Sequence, residues 1–367
     1  MKIVIDARLF GPEHTGIGRY SQNLVENLAP LALAHQLILI THKNAKVTST
    51  KNLQVIFSEI PYYGFSEQLK LNSLIKSLSP DLVHFTHFNH PIIYNQPFVV
   101  TIHDLIKSDF KDHSASSRKR AIYEAKHFIY GKVVSHAIYK SKNIITPSNY
   151  SKGRILSLFP KVSPAKIVTI YEGADQFQKI RIQKILDYKK YSISDNFCLY
   201  IGNSYPYKNL ATAIDAVKKI SGLQFVIVSK NTPNLEELKL SAGRTNKFVF
   251  LENLTDSELA GLYKKSKFFL FPSKSEGFGV PGLEAMAMQT PVLCSSAGPL
   301  PEIYGNAALY FNPESVSDLV RQIQFLLTNY DQEKNKLNSK AKNQLKKYSW
   351  QKMAKETLNV YESCFNS

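Results

Sequence analysis

A chain of 367 residues with 44% hydrophobic and 20% charged side chains can bury two ordinary globular cores, which excludes a disordered or fibrous protein. The formal net charge of +17 asks for an anionic partner, but lysine is scattered throughout and no nucleic-acid motif accompanies it. No apolar run reaches the length of a membrane span, and Cys198, Cys294 and Cys364 stand apart without metal-ligand spacing, as core thiols do in a reducing compartment.

The N-terminal run Lys2–Asp6 reads as a buried strand and has no targeting pattern. Gly16-Ile17-Gly18 then lies between this strand and a helix expected over residues 20–28. Ser21 occupies the place of a third glycine and no acidic residue follows at ribose-binding distance, so a nicotinamide site is not expected. Further strands are expected at residues 36–40, Leu53–Phe57, Leu82–Phe85, residues 98–102 and Asn143–Thr146. His87 and His103-Asp104 follow the ends of two of them. His84, His87 and His90 recur every third residue with no acidic partner, a poor metal set that reads instead as an acceptor-facing loop. Residues 107–142 form a basic amphipathic stretch with Lys111, Arg118, Lys119, Arg120, Lys126, Lys132 and Lys140, interleaved with Ile122, Phe128, Ile129, Val133 and Val134. Residues 173–194 carry no clean strand and much charge, and read as a linker. The same grammar returns with strands at Phe197–Ile201, Gln224–Val228, Phe248–Leu251, Phe268–Phe271, residues 291–294 and Ala308–Phe311. Alternating strands and helices predict an α/β chain of two parallel-sheet, Rossmann-like domains, residues 1–172 and 195–349. Ligands in such sheets bind beyond the strands' carboxyl ends, where Gly202, Lys230, Asn253 and Glu276 fall.

The densest chemistry lies in Ser275-Glu276-Gly277-Phe278-Gly279-Val280-Pro281-Gly282-Leu283-Glu284. Two carboxylates flank a glycine-rich turn and a proline suited to a first helical turn. Backbone amides at a positive helix end favour an anion, while Glu276 would accept hydrogen bonds from hydroxyls beside it and Glu284 from a second set. Phosphate and two sets of hydroxyls together describe a nucleotide-sugar. Lys208, in Tyr205-Pro206-Tyr207-Lys208-Asn209 before another helix, opposes that helix's dipole, which a bound phosphate would explain.

This segment resembles the E-x7-E motif of the family 4 retaining glycosyltransferases. The likeness continues, in the family's order, through Gly16-Ile17-Gly18-Arg19-Tyr20, His103-Asp104, Thr146-Pro147-Ser148, Gly202 with Pro206 to Asn209, Thr290-Pro291-Val292-Leu293, Pro301-Glu302-Ile303, Gly305-Asn306-Ala307-Ala308-Leu309, Asn312-Pro313 and Tyr348-Ser349-Trp350. The resemblance implies the GT-B fold, with two Rossmann-like domains facing across a cleft and a C-terminal helix, residues 350–367, crossing back to the first domain. It implies His103, Lys208 and Glu276 as catalytic residues. Gly16, Asn203, Lys230, Asn253, Leu254, Gly277, Phe278, Gly279, Val280 and Glu284 would bind the donor, and Ile17, Tyr20, His87 and Asp104 would lie on the acceptor side. His103 would hydrogen-bond the donor sugar, and Asp104 would orient the loop or a ring nitrogen. The family often carries arginine where Asn203 stands, which leaves Lys208 fewer cations to share the diphosphate.

The expected activity is transfer of a sugar from a GDP- or UDP-sugar to a saccharide or lipid-linked acceptor, with retention of configuration. No Asp-x-Asp occurs, so no metal and no cofactor are expected. The N-terminal Ile5-Asp6-Ala7-Arg8 with Thr15 to Tyr20 most resembles mannosyltransferase-like members that build surface polysaccharides, which suggests GDP-mannose. The expected location is cytoplasmic, peripheral at the inner face of the membrane, with an anionic surface as a further partner and no nucleic acid. Two rivals remain: a same-fold nucleotide-sugar 2-epimerase and a non-catalytic basic membrane-associated scaffold.

Overall fold

Every strand partner in the computed structural model runs parallel, in two separate sheets. The structure describes residues 1–106, 117–180, 182 and 186–365, and the side chains of 117–123, 178 and 179 are not among those described. Lys107 and Lys111 of the basic stretch therefore lie outside the described residues, and Arg118, Lys119, Arg120 and Ile122 outside the described side chains. Met1–Glu172 with Trp350–Ser367 make one compact unit, and Gly173–Ser349 make the other.

The first unit holds β1 (Lys2–Asp6), β2 (Gln36–Thr41), β3 (Leu53–Phe57), β4 (Leu82–Phe85), β5 (Phe98–Thr101), β6 (Asn143–Thr146) and β7 (Ile167–Thr169), in the order β3-β2-β1-β4-β5-β6-β7. Its helices are α1 (Thr15–Leu28), α2 (Phe65–Ser77), α3 (Ser117–Lys140) and α4 (Asn149–Leu158). Alternate strand residues point to opposite faces. Ile3, Ile5, Leu37 and Leu39 enter one core with Tyr20, Leu24 and Leu28 of α1, while Val4, Ile38 and Ile40 enter the other with Val133 and Ile138 of α3. Both faces are thus covered, as parallel sheets require. Helix α1 begins at Thr15, not at residue 20, so Gly16 and Gly18 sit in its first turns rather than in a loop. The approach of Gly11 explains the glycine at 18, where a Cβ would meet the Gly11 carbonyl oxygen at 1.9 Å.

The second unit contains α5 (Gln176–Lys179), β8 (Phe197–Ile201), α6 (Leu210–Lys218), β9 (Gln224–Val228), α7 (Pro233–Ala242), β10 (Phe248–Leu251), α8 (Asp256–Lys265), β11 (Phe268–Phe271), α9 (Val280–Ala287), β12 (Val292–Ser295), α10 (Leu300–Tyr304), β13 (Ala308–Phe311), α11 (Val316–Thr328) and α12 (Tyr330–Leu345). Its strands run in the order β10-β9-β8-β11-β12-β13. The last helix, α13 (Trp350–Ser363), belongs to the first unit, where Trp350, Met353, Ala354, Val360 and Tyr361 join the core beside α1.

Candidate active site

Strand order reverses once in each sheet, and in open parallel sheets such a reversal is where neighbouring loops part and ligands bind. In the second unit the reversal lies between β8 and β11. The loop after β8 brings Lys208 and the loop after β11 brings Glu276, and Lys208 Nζ donates to Glu276 Oε1 at 2.6 Å. Side chains about one-tenth exposed on both partners make this a largely desolvated ion pair. Removing one partner of such a pair costs about 3–5 kcal/mol, because the other charge stays behind unpaired.

Backbone chemistry holds the two loops in register. Asn209 adopts the left-handed conformation (φ +58°), which asparagine tolerates better than most residues. Its Nδ2 donates to the carbonyls of Pro272 at 3.2 Å and Pro313 at 2.9 Å. The Lys274 amide donates to the Tyr207 carbonyl at 2.8 Å, and the Lys208 ammonium also lies 5.4 Å from the Tyr207 ring. Lysine at the start of α6 thus has a structural partner as well as the anion-binding role expected for it.

Helix α9 starts at Val280, which places Glu284 in its second turn. Glu284 is buried and its Oε2 accepts from Tyr263 Oη at 3.0 Å. Gly279 and Gly282 let Tyr304 pass close by: a Cβ on Gly282 would meet the Tyr304 hydroxyl at 2.3 Å, and that hydroxyl donates to the Gly279 carbonyl. The turn is not a row of unengaged amides, since Gly282 N–H already donates to Gly279 at 3.3 Å, and Gly277 has partners as well. Phe278 points into the core, with its ring edge-on to Tyr348 at 5.5 Å, so only its backbone is available to a donor. Gly277 and Val280 are half-buried beside it. At the neighbouring strand ends, Asn203 is half-buried with its carbonyl accepting from Tyr200 at 2.6 Å, Lys230 and Asn253 are exposed, and Leu254 is half-buried.

In the first unit the reversal lies between β1 and β4. Buried Arg8 bridges Asp6 and the wholly buried Glu67, whose oxygens also accept from Asn89 Nδ2 at 2.7 and 2.8 Å. His87 lies beside this cluster, half-buried, with Tyr63 edge-on at 6.2 Å. The expected histidine loop is not one surface. His84 is fully buried in β4, bonded to Tyr361 Oη at 2.6 Å and Thr101 Oγ1 at 2.8 Å, and burial, with His103 nearby, depresses its pKa to about 3. His90 is buried against His136 at 2.8 Å, and burial lowers it to about 4. Only His87 of the three reaches the surface.

Tyr20, expected on the acceptor side, is likewise a core residue, its hydroxyl bonded with Thr101 Oγ1 at 3.0 Å. Ile17 and Asp104 are half-buried and Gly16 is exposed. Asp104 does orient its loop, accepting from the Ile106 amide at 3.0 Å. The His103 ring nitrogens go elsewhere: Nδ1 meets Glu172 Oε1 at 3.3 Å and Nε2 meets the Thr86 carbonyl at 3.0 Å. Hydrogen-bonding of His103 to a sugar therefore requires an exchange of partner. One mixed donor set occurs among the described residues: Glu13 and His14 in the turn before α1, with His42 just past β2.

Models of two sequence families match the chain: glycosyltransferase family 4 over residues 14–176, and glycosyl transferases group 1 over residues 185–344. The chain belongs to the family 4 glycosyltransferases. It is 25% identical to the O-antigen chain mannosyltransferase RfbU of Salmonella typhimurium, over 85% of this chain and 87% of that protein. It is 24% identical to O-antigen chain mannosyltransferase B of Escherichia coli, over 99% and 100%. Among solved structures, it resembles the lipopolysaccharide-biosynthesis glycosyltransferase WaaG (TM-score 0.70, 16% identity, 98% and 99% covered). It also resembles Anabaena HepE bound to UDP and glucose (TM-score 0.74, 16% identity, 99% and 100% covered). The fold is GT-B, and the chain is a glycosyltransferase. Within this family 4 chain, Glu172, Tyr263 and Tyr304 carry no signal of their own in the sequence. Glu172 is a lone acid after a three-residue strand, and the two tyrosines lie in helices whose apolar pattern absorbs them.

Proposed function

We propose that this glycosyltransferase moves mannose from GDP-mannose to a saccharide or lipid-linked acceptor in surface polysaccharide synthesis, with retention and without a divalent metal. The observation that carries the reading is the Lys208–Glu276 pair at the second unit's strand-order reversal. It presents one cation for a leaving diphosphate and one carboxylate for sugar hydroxyls. As the bond from the anomeric carbon to the diphosphate breaks, negative charge grows on the leaving oxygen, where Lys208 and the start of α9 are suited to receive it. The acceptor oxygen forms the new bond and its proton passes to the departing diphosphate. Glu276 is already engaged with Lys208, which makes it a poor free nucleophile and favours attack on the face the diphosphate leaves. Mannosyltransferases among the relatives support the donor sugar.

The site of action we propose is the inner face of an anionic membrane. Among the described residues, no helix is long and apolar enough to cross one. Phe128 and Ile129 stand exposed on α3 beside Lys126 and Lys132, an apolar and basic combination suited to reversible docking.

The test is to incubate the purified chain with GDP-mannose or UDP-glucose, with and without lipid-linked saccharide, in buffer with excess chelator. The expected product carries mannose with the donor's anomeric configuration. Turnover of UDP-glucose alone would overturn the donor, and loss of transfer on chelation, restored by magnesium or manganese, would overturn metal independence.

A further inference from the structure

We propose that Glu172 is the positioning residue of His103, holding one edge of the imidazole so that the opposite N–H can be traded to a sugar hydroxyl. This rests on the reading of His103 as a residue that meets the transferred sugar.

Both ring nitrogens have partners. The Thr86 carbonyl can only accept, so His103 Nε2 carries the proton that spans the 3.0 Å between them. A carboxylate oxygen also accepts, so the bond between Nδ1 and Glu172 Oε1 at 3.3 Å carries a second proton, held by the ring or by the carboxyl group. Tyr20 packs edge-on against the ring with centroids 4.6 Å apart, and Ser151 Oγ donates to the His103 carbonyl at 3.1 Å. Backbone and ring plane are thus set from several sides, but Glu172 is the side chain that marks which nitrogen faces which way. A half-turn of the ring would put carbon against both oxygens.

Glu172 is itself informative. It is buried, just past β7, and the Ile170 amide anchors that segment to the Thr146 carbonyl at 2.9 Å. Burying a carboxylate is costly unless it is well paired, and among the described residues His103 is its hydrogen-bond partner. A single contact at 3.3 Å is a weak return in stability for that cost, which points to ring orientation as the gain. The bond to Thr86 is the one that can change: a hydroxyl oxygen can replace that carbonyl as the acceptor of Nε2–H while Glu172 keeps the pivot.

The experiment compares wild type with E172A and E172Q, each checked for folding by circular dichroism and thermal melting. Histidine-labelled ¹⁵N spectra of the unliganded chain, with H103Q for assignment, report the ring directly. In wild type the His103 Nε2–H should be protected. In E172A it should exchange rapidly, and kcat should fall by about 10- to 100-fold while the donor KM moves less than about threefold, because a misplaced group costs turnover more than binding. A glutamine amide can donate to Nδ1 and preserve the Nε2–H, so E172Q should recover most of both readouts. Wild-type kcat and spectra in E172A would overturn the proposal, as would E172Q impaired as deeply as E172A. If wild type turns over no nucleotide-sugar, the proposed function fails, whereas the ring spectra still decide whether Glu172 holds His103.

Discussion

Lys208 and Glu276 lie 68 positions apart in sequence yet share one hydrogen bond, and their pairing makes opposite predictions for the two truncations. E276Q removes negative charge beside the anion site, so GDP affinity should hold or tighten while turnover falls by about 10²–10³. K208A should weaken GDP binding as well as turnover, since it removes the cation and strands a desolvated carboxylate. Calorimetric GDP titration beside steady-state kinetics separates the two, and wild-type turnover by E276Q would remove Glu276 from the mechanism. Both residues were legible in sequence because each sits in a turn whose glycine, proline and asparagine mark a strand-to-helix junction. Glu172 was not. It lies beside His103 only because β5, β6 and β7 are neighbours in the sheet, a relation that no local spacing encodes. The burial of Tyr20 was not legible either: α1 starts at Thr15, and the ring packs into the core from its second turn.

At the level of single elements, the first turns of α1 separate a packing glycine from an open one. Any side chain at Gly18 strikes the Gly11 carbonyl, backbone that cannot swing away, so G18A should destabilise by about 1–3 kcal/mol or more. A Cβ at Gly16 would meet no atom within 4 Å, so G16A should stabilise the helix by roughly 0.5–1 kcal/mol. Thermal melts test both. Lost transfer in a stabilised G16A would mean that a substrate, not the fold, needs that space. Strand β4 and the loop after it yield a pH prediction. His84 and His90 have folded pKa values of about 3 and about 4, below the ordinary 6.5, so the unfolded chain binds more protons throughout that interval. Stability is therefore fully present above about pH 6.5 and is lost as pH falls, at about 1.4 kcal/mol per pH unit for each histidine. Urea titrations from about pH 6.5 to 4.5 should show this slope, shallower by about one proton in H84Q. An unchanged slope in H84Q would mean that His84 is not the buried neutral group described. Most strands were read almost to the residue because the central ones are continuous apolar runs buried on both faces. The exception, β7, offers only three residues of signal.

On the scale of the whole molecule, the alternation of strands and helices made the two-sheet architecture legible, whereas the net charge of +17 said only that some anion matters. The membrane docking proposed above rests on the described part of α3, where Phe128 and Ile129 are exposed between Lys126 and Lys132, with Lys140 further along. Val133, Val134, Ala137 and Ile138 of the same helix are packed in the core, whereas Phe128 and Ile129, earlier along the helix, stand exposed. An isolated exposed phenylalanine needs no explanation, but an adjacent pair beside lysines has the composition of an interfacial anchor. Burying the two side chains offers about 1.5–3 kcal/mol each, and each lysine near an anionic leaflet about 1 kcal/mol. Neither contribution alone holds a protein on a membrane; together they suffice for reversible docking. Sedimentation with vesicles containing phosphatidylserine should therefore show binding that declines as salt rises, with little binding to phosphatidylcholine alone. Replacing Phe128 and Ile129 with serine, or Lys126 and Lys132 with glutamate, should each release the protein while leaving transfer to a soluble acceptor analogue unchanged, because all four side chains are exposed. Equal binding to neutral and anionic vesicles would contradict the electrostatic half of this account, and full binding by the serine variant would contradict the apolar half.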